Sequence, residues 1–284
     1  MQKDKPSRTA RKVAINVITL GSVPEMKSIL PRGIVEATAK LLVASGVVSA
    51  KVIGIARSKT AVRIYEVFDW MMPGQFLAFG HRKAFFERMV REAIAAGATQ
   101  VLSLGAGYDT LGWRLAPEFP NVSFFEINHP ATARLKAKGI QSMGERDNLH
   151  LISEDLAKRK LVDVLKAEQS WSTKAQTIIL AEGLLMYLPP IAVKDLFKQC
   201  AEITGSGSRI AFTYIDTGAD GRPDAGPWTK LTMWILKVSG EPWLWSVRPQ
   251  ELDRFLEETD WKNAPDLLGT NNKLGIEFLG IAKK

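Results

Sequence analysis

The chain of 284 residues has little of what disulfide-linked, metal-binding and membrane-spanning proteins need. It has one cysteine, Cys200, which excludes an internal disulfide, and its three histidines are too few to suggest a metal cluster. No apolar run approaches the roughly 18 residues that span a bilayer. The short apolar run at residues 13–18 contains Asn16 and precedes no small-residue cleavage pattern, so we expect a buried helix and not a signal peptide. We therefore expect a protein of the reducing cytoplasm with no membrane partner.

The chain carries a formal net charge of +8, which raises the question of a nucleic-acid partner. Half of that excess lies in residues 1–12, which hold five basic residues, among them Lys3 and Lys5, and one acid. Further along, basic and acidic residues alternate, as in residues 154–160, and form no dense basic stripe. This distribution favours a basic tail and a solvated surface, so we expect no nucleic-acid partner.

Two kinds of pattern divide the chain near residue 97. Residues 10–97 predict mainly helices, because apolar residues recur at helical spacing in 33–45, before Gly46, and in 81–96, before Gly97. Later, strand-like segments at 99–104, 122–127, 150–152, 177–181, 209–214 and 276–282 alternate with helical patterns at 131–138, 161–168, 192–203 and 249–258. This alternation predicts a doubly wound, mostly parallel α/β sheet. We expect a tail and helical cap in residues 1–97 and a core in residues 98–284.

Residues 216–245 interrupt this alternation after the fifth predicted strand. They hold seven glycines and prolines and four of the eight tryptophans. This composition predicts a loop and a helix at the carboxyl edge of the sheet, where ligands bind in open α/β sheets. The tryptophans either pack the insertion or form a recognition surface, in which Trp228 and Trp234 would contact the substrate.

A glycine motif, Gly105-Ala106-Gly107 followed by Asp109, begins where the first predicted strand ends. Glycine at this point lets backbone amides approach a ligand closely. The sixth position of the motif is Thr110, where a dinucleotide fingerprint has its third glycine. No Lys-Ser/Thr pair follows the motif, as one would in a P-loop. The motif therefore predicts a ligand site but argues against these two common phosphate-binding patterns.

Polar residues also follow the next three predicted strands. Glu126, with Asn128 beside it, lies 21 residues after Gly105, where an acid can accept both ribose hydroxyls of a nucleoside. Asp155 follows the third strand and could face an adenine amino group. Glu182 follows the fourth strand, and its carboxylate suits an ammonium or sulfonium centre. Polar residues at four successive strand ends are more specific than any one of them, and together they predict a nucleoside-type cofactor.

These motifs carry a family resemblance. Residues 104–110 with Arg114-Leu115, residues 125–130 and residues 181–188 resemble the leucine carboxyl methyltransferase family, especially its bacterial branch of tetracenomycin-type polyketide carboxyl O-methyltransferases. Looser similarity covers nearly the whole chain. The resemblance implies a class I S-adenosylmethionine-dependent methyltransferase fold, Rossmann-like with seven strands, carrying the helical cap and the insertion after strand 5.

The resemblance also implies roles for residues at matching positions. Arg82 would hold the methionine carboxylate of S-adenosylmethionine through a bidentate pair, although it could instead form an ordinary salt bridge. Gly105 would lie under the cofactor, Glu182 would contact its methionine portion, and Asp155 and Leu156 would contact adenine.

One departure from the family concerns the ribose. The family has an aspartate where this chain has Asn128, so the ribose is assigned either to Asn128 or to Glu126. Tyr187 and Tyr214 are candidate substrate contacts or core residues.

The implied reaction is O-methylation that forms a methyl ester on a small-molecule carboxylate, such as an aromatic polyketide-like acid. Because a carboxylate with a pKa of about 4 is already ionised at neutral pH, we expect no catalytic base and no metal. The alternatives are methylation of a phenol, for which His81 or His129 would be the histidine base, of a protein C-terminus, or of a tRNA base. The sequence leaves the oligomeric state open.

Overall fold

The computed structural model describes residues 6–69, 72–268 and 272–284, so Lys3 and Lys5 of the basic tail lie outside the described residues. Helices and one 3₁₀ turn (Pro24–Lys27) make up the first part: α1 (Arg8–Leu20), α2 (Ile34–Ala44), α3 (Ala50–Ala56), α4 (Lys59–Phe68) and α5 (Gln75–Ala95). The Ser7 hydroxyl caps α1 by accepting the Ala10 N–H at 3.0 Å. The apolar run at residues 13–18 lies in α1 and is mostly buried, as predicted.

Strands and helices alternate in the rest of the chain. The strands are β1 (Gln100–Leu104), β2 (Ser123–Asn128), β3 (Leu149–Ser153), β4 (Thr177–Ala181), β5 (Arg209–Ile215), β6 (Lys262–Asn263), β7 (Lys273–Leu274) and β8 (Glu277–Lys283). The helices are α6 (Leu111–Leu115), α7 (Pro130–Met143), α8 (Leu161–Lys166), α9 (Pro190–Glu202), α10 (Thr229–Ser239) and α11 (Leu252–Glu257). The predicted strands and helices are all present, with ends that shift by a few residues.

The strand order is β3-β2-β1-β4-β5-β8-β6, with β7 paired to β8. Strands β1 to β5 are parallel, whereas β8 runs antiparallel to β5. The described sheet thus has eight strands and not the seven expected, because the two-residue β7 adds a short pair at β8. The chain moves outward from β1 to β3 and then returns to β4 on the other side of β1. This reversal opens a crevice at the carboxyl ends of β1 and β4, which is where ligands bind in such sheets.

Both faces of the sheet are covered, as the doubly wound prediction requires. Alternate residues of a strand point to opposite faces, so Leu102 packs in one apolar cluster and Val101 in another. The first cluster includes residues of α8, α9 and α11, and the second includes residues of α5 and α6. A third cluster joins α1 and α2 to α7 and to Tyr108, beside the glycine motif. The helical cap therefore rests directly against the crevice.

Candidate functional site

The turn after β1 needs its two glycines. Gly105 and Gly107 have φ of +64° and +55°, a conformation that residues with a Cβ rarely adopt. A Cβ on Gly105 would lie 3.0 Å from Leu184, and one on Gly107 would lie 2.9 Å from Ala10 of α1. The Gly107 N–H donates to Asn128 Oδ1 at 2.6 Å, which ties the turn to the end of β2. The backbone of this turn is thus held closely between α1 and the loop after β4.

Five charged side chains meet beside this turn, and we call them the charge cluster: Arg82, Lys83, Asp109, Glu182 and Glu277. Arg82 donates from Nε to Glu182 at 2.9 Å and from Nη1 to Glu277 at 2.6 Å. Lys83 donates to Glu182 at 3.0 Å and also pairs with Asp109. All five side chains are largely buried. The structure thus brings Arg82, Asp109 and Glu182 together, as expected for parts of one site.

Elements far apart in sequence supply the charge cluster. Adjacent positions of α5 provide Arg82 and Lys83, the glycine turn provides Asp109, and Glu182 directly follows β4. Glu277 begins β8 and lies opposite Ile215, the last residue of β5, so it reaches the same edge of the sheet. The cluster therefore lies at the crevice where the strand order reverses.

Burial and pairing fix the charges of these groups. Burial opposes the positive charge of Arg82, but Glu277 and Glu182 outweigh it and raise the pKa of the guanidinium. Lys83 is likewise buried, and Asp109 and Glu182 raise the pKa of its ammonium. Burial would raise the pKa of Asp109, yet Lys83 holds that pKa well below its usual range. These three groups accordingly stay charged at neutral pH.

Sequence reasoning missed Lys83 and Glu277. Glu277 also accepts a hydrogen bond from Gln75 Nε2 at 2.9 Å, so it is bound to α5 through both Gln75 and Arg82. Each residue had a weak local signal, since Lys83 is a cation next to Arg82 and Glu277 interrupts an apolar strand. Neither signal identifies a partner, because the pairs span up to 202 positions of sequence.

The two candidate ribose ligands have different surroundings. Glu126 is buried against the Lys136 ammonium of α7, and burial raises the pKa of this carboxyl although Lys136 opposes the shift. A Cβ on Gly112 would lie 2.8 Å from Glu126 Oε1, so α6 covers this carboxylate. Asn128 contacts the glycine turn itself. This geometry favours Asn128 for the ribose, which stays a prediction.

The candidate adenine contacts lie at the end of β3. Asp155 Oδ2 is 3.9 Å from His129 Nε2 and 3.5 Å from Lys158 Nζ, and Oδ1 accepts the Ala157 N–H at 3.1 Å. Leu156 is partly buried against the core. Both residues thus sit at the carboxyl edge, beside the strand that carries Asn128.

The four candidate substrate contacts are scattered. Tyr214 lies in the core, stacked on Phe278 with ring centroids 5.3 Å apart, and burial raises its pKa to about 12. Of the two roles predicted for Tyr214, this packing favours that of a core residue. Tyr187 is partly buried in the turn after β4, where burial raises the pKa of its hydroxyl. Trp228 and Trp234 are 44% and 61% exposed, so neither is enclosed in a pocket here.

The helical cap and the insertion meet above this edge. Glu241, just after α10, accepts from the Ser7 hydroxyl at 3.3 Å and from the Thr9 hydroxyl. The Leu244 N–H donates to the Met186 carbonyl at 2.6 Å. These contacts connect α1, the insertion and the loop after β4. A cavity of about 400 Å³ lies elsewhere, between α2 and α6, and shares no residue with the charge cluster.

No group of three or more histidines, cysteines or carboxylates in the described part of the chain is arranged to hold a metal ion. Across residues 6–69, 72–268 and 272–284, no helix is long and apolar enough to cross a membrane.

Comparison with protein families gives a match to the leucine carboxyl methyltransferase model over residues 38–201, more than half of the chain. A relative from Mycolicibacterium gilvum, named as a candidate S-adenosyl-L-methionine-dependent methyltransferase, is 33% identical over 131 residues, 46% of this chain and 42% of the relative. A similarly named relative from Streptomyces coelicolor is 30% identical over 167 residues, 58% of each chain. The chain spans about half the length of the curated relatives it matches.

Solved structures support the fold. One described as a candidate methyltransferase from Thermobifida fusca has a TM-score of 0.59 at 17% identity and covers 92% of this chain and 97% of its own. Another, described as a candidate O-methyltransferase from Nostoc punctiforme, has a TM-score of 0.50 at 12% identity and covers 72% of this chain and 59% of its own. At these identities the similarity concerns the fold alone.

Proposed function

Because the chain belongs to the leucine carboxyl methyltransferase family, we propose that it transfers the methyl group of S-adenosylmethionine to a small-molecule carboxylate, forming a methyl ester. The charge cluster at the glycine turn is the observation that carries this proposal. Its position at the reversal of the strand order is the position of a ligand site in this class of sheet.

The charges of the cluster suit this cofactor. Two cations and three carboxylates leave one net negative charge when all are ionised. S-adenosylmethionine carries a sulfonium, an ammonium and one carboxylate, and therefore one net positive charge. A buried site is most favourable when its charges are compensated. A dinucleotide, whose diphosphate is anionic, would instead add negative charge to a negative site.

The individual side chains fit the two ends of the methionine moiety. Arg82 and Lys83 are the cations that would pair with its carboxylate, and Glu182 is the acceptor for its ammonium. The backbone of Gly105 and Gly107, which a Cβ would crowd, suits close contact with the nucleoside. The cofactor supplies the electrophilic methyl group, and these residues bind and orient it.

The reaction with a carboxylate needs alignment more than proton transfer. The acceptor is ionised at neutral pH, so no residue has to remove a proton. Holding two reactants in line can lower the activation free energy by about 7–11 kcal/mol. The contacts of Glu241 with α1 connect the elements that would cover the acceptor and exclude water.

The chemical product tests the proposal directly. The purified chain is incubated with methyl-labelled S-adenosylmethionine and matched carboxylic acids and phenols of similar size. We expect label in an ester that mild alkali hydrolyses to methanol. An alkali-stable ether formed from the phenols alone would instead assign the chain to phenol methylation.

Cofactor binding is tested separately by isothermal titration. We expect one S-adenosylmethionine or S-adenosylhomocysteine per chain and no competition by NAD. Glu182→Gln should weaken binding, whereas Glu36→Gln, which alters an exposed carboxylate paired with Arg57, should not. Tight NAD binding without any response to S-adenosylhomocysteine would exclude the proposed cofactor.

A further inference from the structure

Helix α10 of the insertion has an exposed apolar stripe. Leu231, Trp234, Ile235 and Val238 are 37%, 61%, 40% and 69% exposed. Their spacing of i, i+3, i+4 and i+7 places them on one side of the helix. Contiguous exposed apolar side chains are uncommon on soluble proteins and usually mark an interaction site.

The opposite side of α10 faces the protein. Thr232 is buried, and Met233 and Leu236 are partly buried. At 3.6 residues per turn these positions lie away from the exposed stripe. The packing of the helix is therefore already satisfied by its inner side, and the stripe is directed outward.

The charges on α10 are of one sign. Lys230 and Lys237 are exposed, and Thr229–Ser239 contains no acidic residue. On a helical projection both lysines lie together at one border of the stripe. The acids nearest in sequence are engaged locally: Asp224 accepts from Gly226 N–H and the Thr229 hydroxyl, and Glu241 accepts from residues of the cap.

We propose that α10 docks the protein on an anionic lipid surface. Leu231, Trp234, Ile235 and Val238 would enter the boundary between headgroups and acyl chains, and Lys230 and Lys237 would contact anionic headgroups. A helix with an apolar stripe that includes Trp, bordered by lysines, is the kind that lies in a membrane interface. Such docking would place the insertion and the nearby crevice where apolar acceptors accumulate.

This inference revises the expectation of no membrane partner. That expectation rests on the absence of a spanning run, and α10, with 11 residues, is indeed far too short to span a bilayer. A helix that lies in the interface needs only one apolar side. Self-association is the less favourable explanation, because an antiparallel two-fold contact through α10 would bring the lysines of both copies together without an acid on the helix.

Sedimentation with vesicles tests the docking. The full chain is mixed with vesicles of equal parts phosphatidylglycerol and phosphatidylcholine, or of phosphatidylcholine alone. We expect preferential binding to the anionic vesicles that weakens as salt is raised. Trp234→Asn with Val238→Asn should lower the partition coefficient by roughly tenfold or more. Lys230→Gln with Lys237→Gln should remove the preference for phosphatidylglycerol.

A matched control uses another exposed apolar pair. Ile64 and Val67 of α4 are 53% and 67% exposed, so Ile64→Asn with Val67→Asn is a comparable replacement of two exposed apolar side chains elsewhere and should leave vesicle binding intact. Thermal unfolding verifies that each variant folds. Absence of wild-type binding, or an equal loss in the α4 control, would refute the docking. Light scattering that shows a dimer, converted to a monomer by the α10 variant, would identify the stripe as an interface between copies instead.

Discussion

The guanidinium of Arg82 joins carboxylates from two distant parts of the chain, Glu182 after β4 and Glu277 at the start of β8. It also lies over the ring of Phe79, with Cζ 4.6 Å from the centroid. One side chain therefore links the crevice after β4 to the antiparallel edge of the sheet. Under the proposed function, its replacement should affect both stability and cofactor affinity.

Replacing Arg82 should reveal both roles. Arg82→Ala leaves two buried carboxylates without their partner, and we expect the free energy of unfolding to fall by about 3–5 kcal/mol. Cofactor affinity should fall as well, by roughly 1.5–3 kcal/mol for a lost charged hydrogen bond. Urea denaturation and isothermal titration measure the two effects. Arg82→Lys keeps the charge and should restore part of the stability but less of the affinity. Unchanged affinity in a folded Arg82→Ala protein would leave Arg82 a purely structural role.

The charge pair of Lys83 and Asp109 should make stability depend on acidic pH. Lys83 holds the pKa of Asp109 below its usual range, so the contribution of this ionised carboxylate is present above about pH 4, the unfolded value, and is lost as pH falls towards the folded value. Asp109→Asn should reduce the loss of unfolding free energy between pH 5 and 3. Glu126 acts in the opposite direction, because burial raises its pKa, so the comparison of variant with wild type isolates Asp109. Identical pH dependence in both proteins would contradict the assignment.

At single residues, the sequence identified positions next to recognisable backbone features. Gly105, Asp109 and Glu182 follow the ends of β1 and β4 and lie at the carboxyl edge of the sheet, and their roles in ligand binding stay predictions. Glu277 was not found, because its role depends on the antiparallel pairing of β8 with β5, and no local pattern encodes that pairing.

Among the structural elements, the glycine turn and α1 depend on each other. A Cβ on Gly107 would lie 2.9 Å from the Cβ of Ala10, so the glycine turn and α1 leave no room for a side chain between them. Thr9 of α1 donates a hydrogen bond to Glu241 of the insertion. A displacement of the glycine turn would therefore also displace α1 and its contact with the insertion.

Gly107→Ala should therefore lower the free energy of unfolding by more than the backbone strain alone accounts for. A positive φ costs a residue with a Cβ about 1–2 kcal/mol, and the contact of 2.9 Å with Ala10 adds a displacement of α1. Gly46→Ala is the matched control, because Gly46 has φ +72° and no atom within 4 Å of its added Cβ. We expect a larger loss of unfolding free energy for Gly107→Ala, accompanied by weaker cofactor binding that Gly46→Ala does not show. Equal losses of unfolding free energy in the two variants would mean that the displacement of α1 does not destabilise the protein.

Long regular elements were predictable from sequence, and short or interrupted ones were not. Apart from β3 at the edge of the sheet, the parallel strands are largely apolar runs, which is the pattern of strands buried on both faces. In contrast, α5 begins at Gln75, six residues before the predicted start. The sequence did not reveal these residues as helical, because Gly80 interrupts their apolar pattern. The structure gives the reason for this glycine: a Cβ there would lie 2.7 Å from Met26 Sδ. Two-residue strands such as β6 are too short to form any pattern.

In the whole molecule, three regions of the chain converge on one edge of the sheet. The cap contributes α1 and α5, the core contributes the glycine turn and the strand ends, and the insertion contributes Glu241. Ion pairing at this edge keeps Arg82, Lys83 and Asp109 charged despite their burial, so the electrostatic field of these three groups should be constant near neutral pH.

For the proposed methyl transfer, this constant field predicts a rate that does not change near neutral pH. If the acceptor is a carboxylate, it is ionised above about pH 6, and no group that contacts it has to change its charge. The single-turnover rate with saturating labelled S-adenosylmethionine and acid should then be flat from about pH 6 to 9. A phenol acceptor would behave differently, because its pKa of about 10 makes the reactive anion about tenfold more abundant with each pH unit. Rates measured by quenching in acid distinguish the two, and a tenfold rise per unit up to pH 9 would exclude a carboxylate as the acceptor.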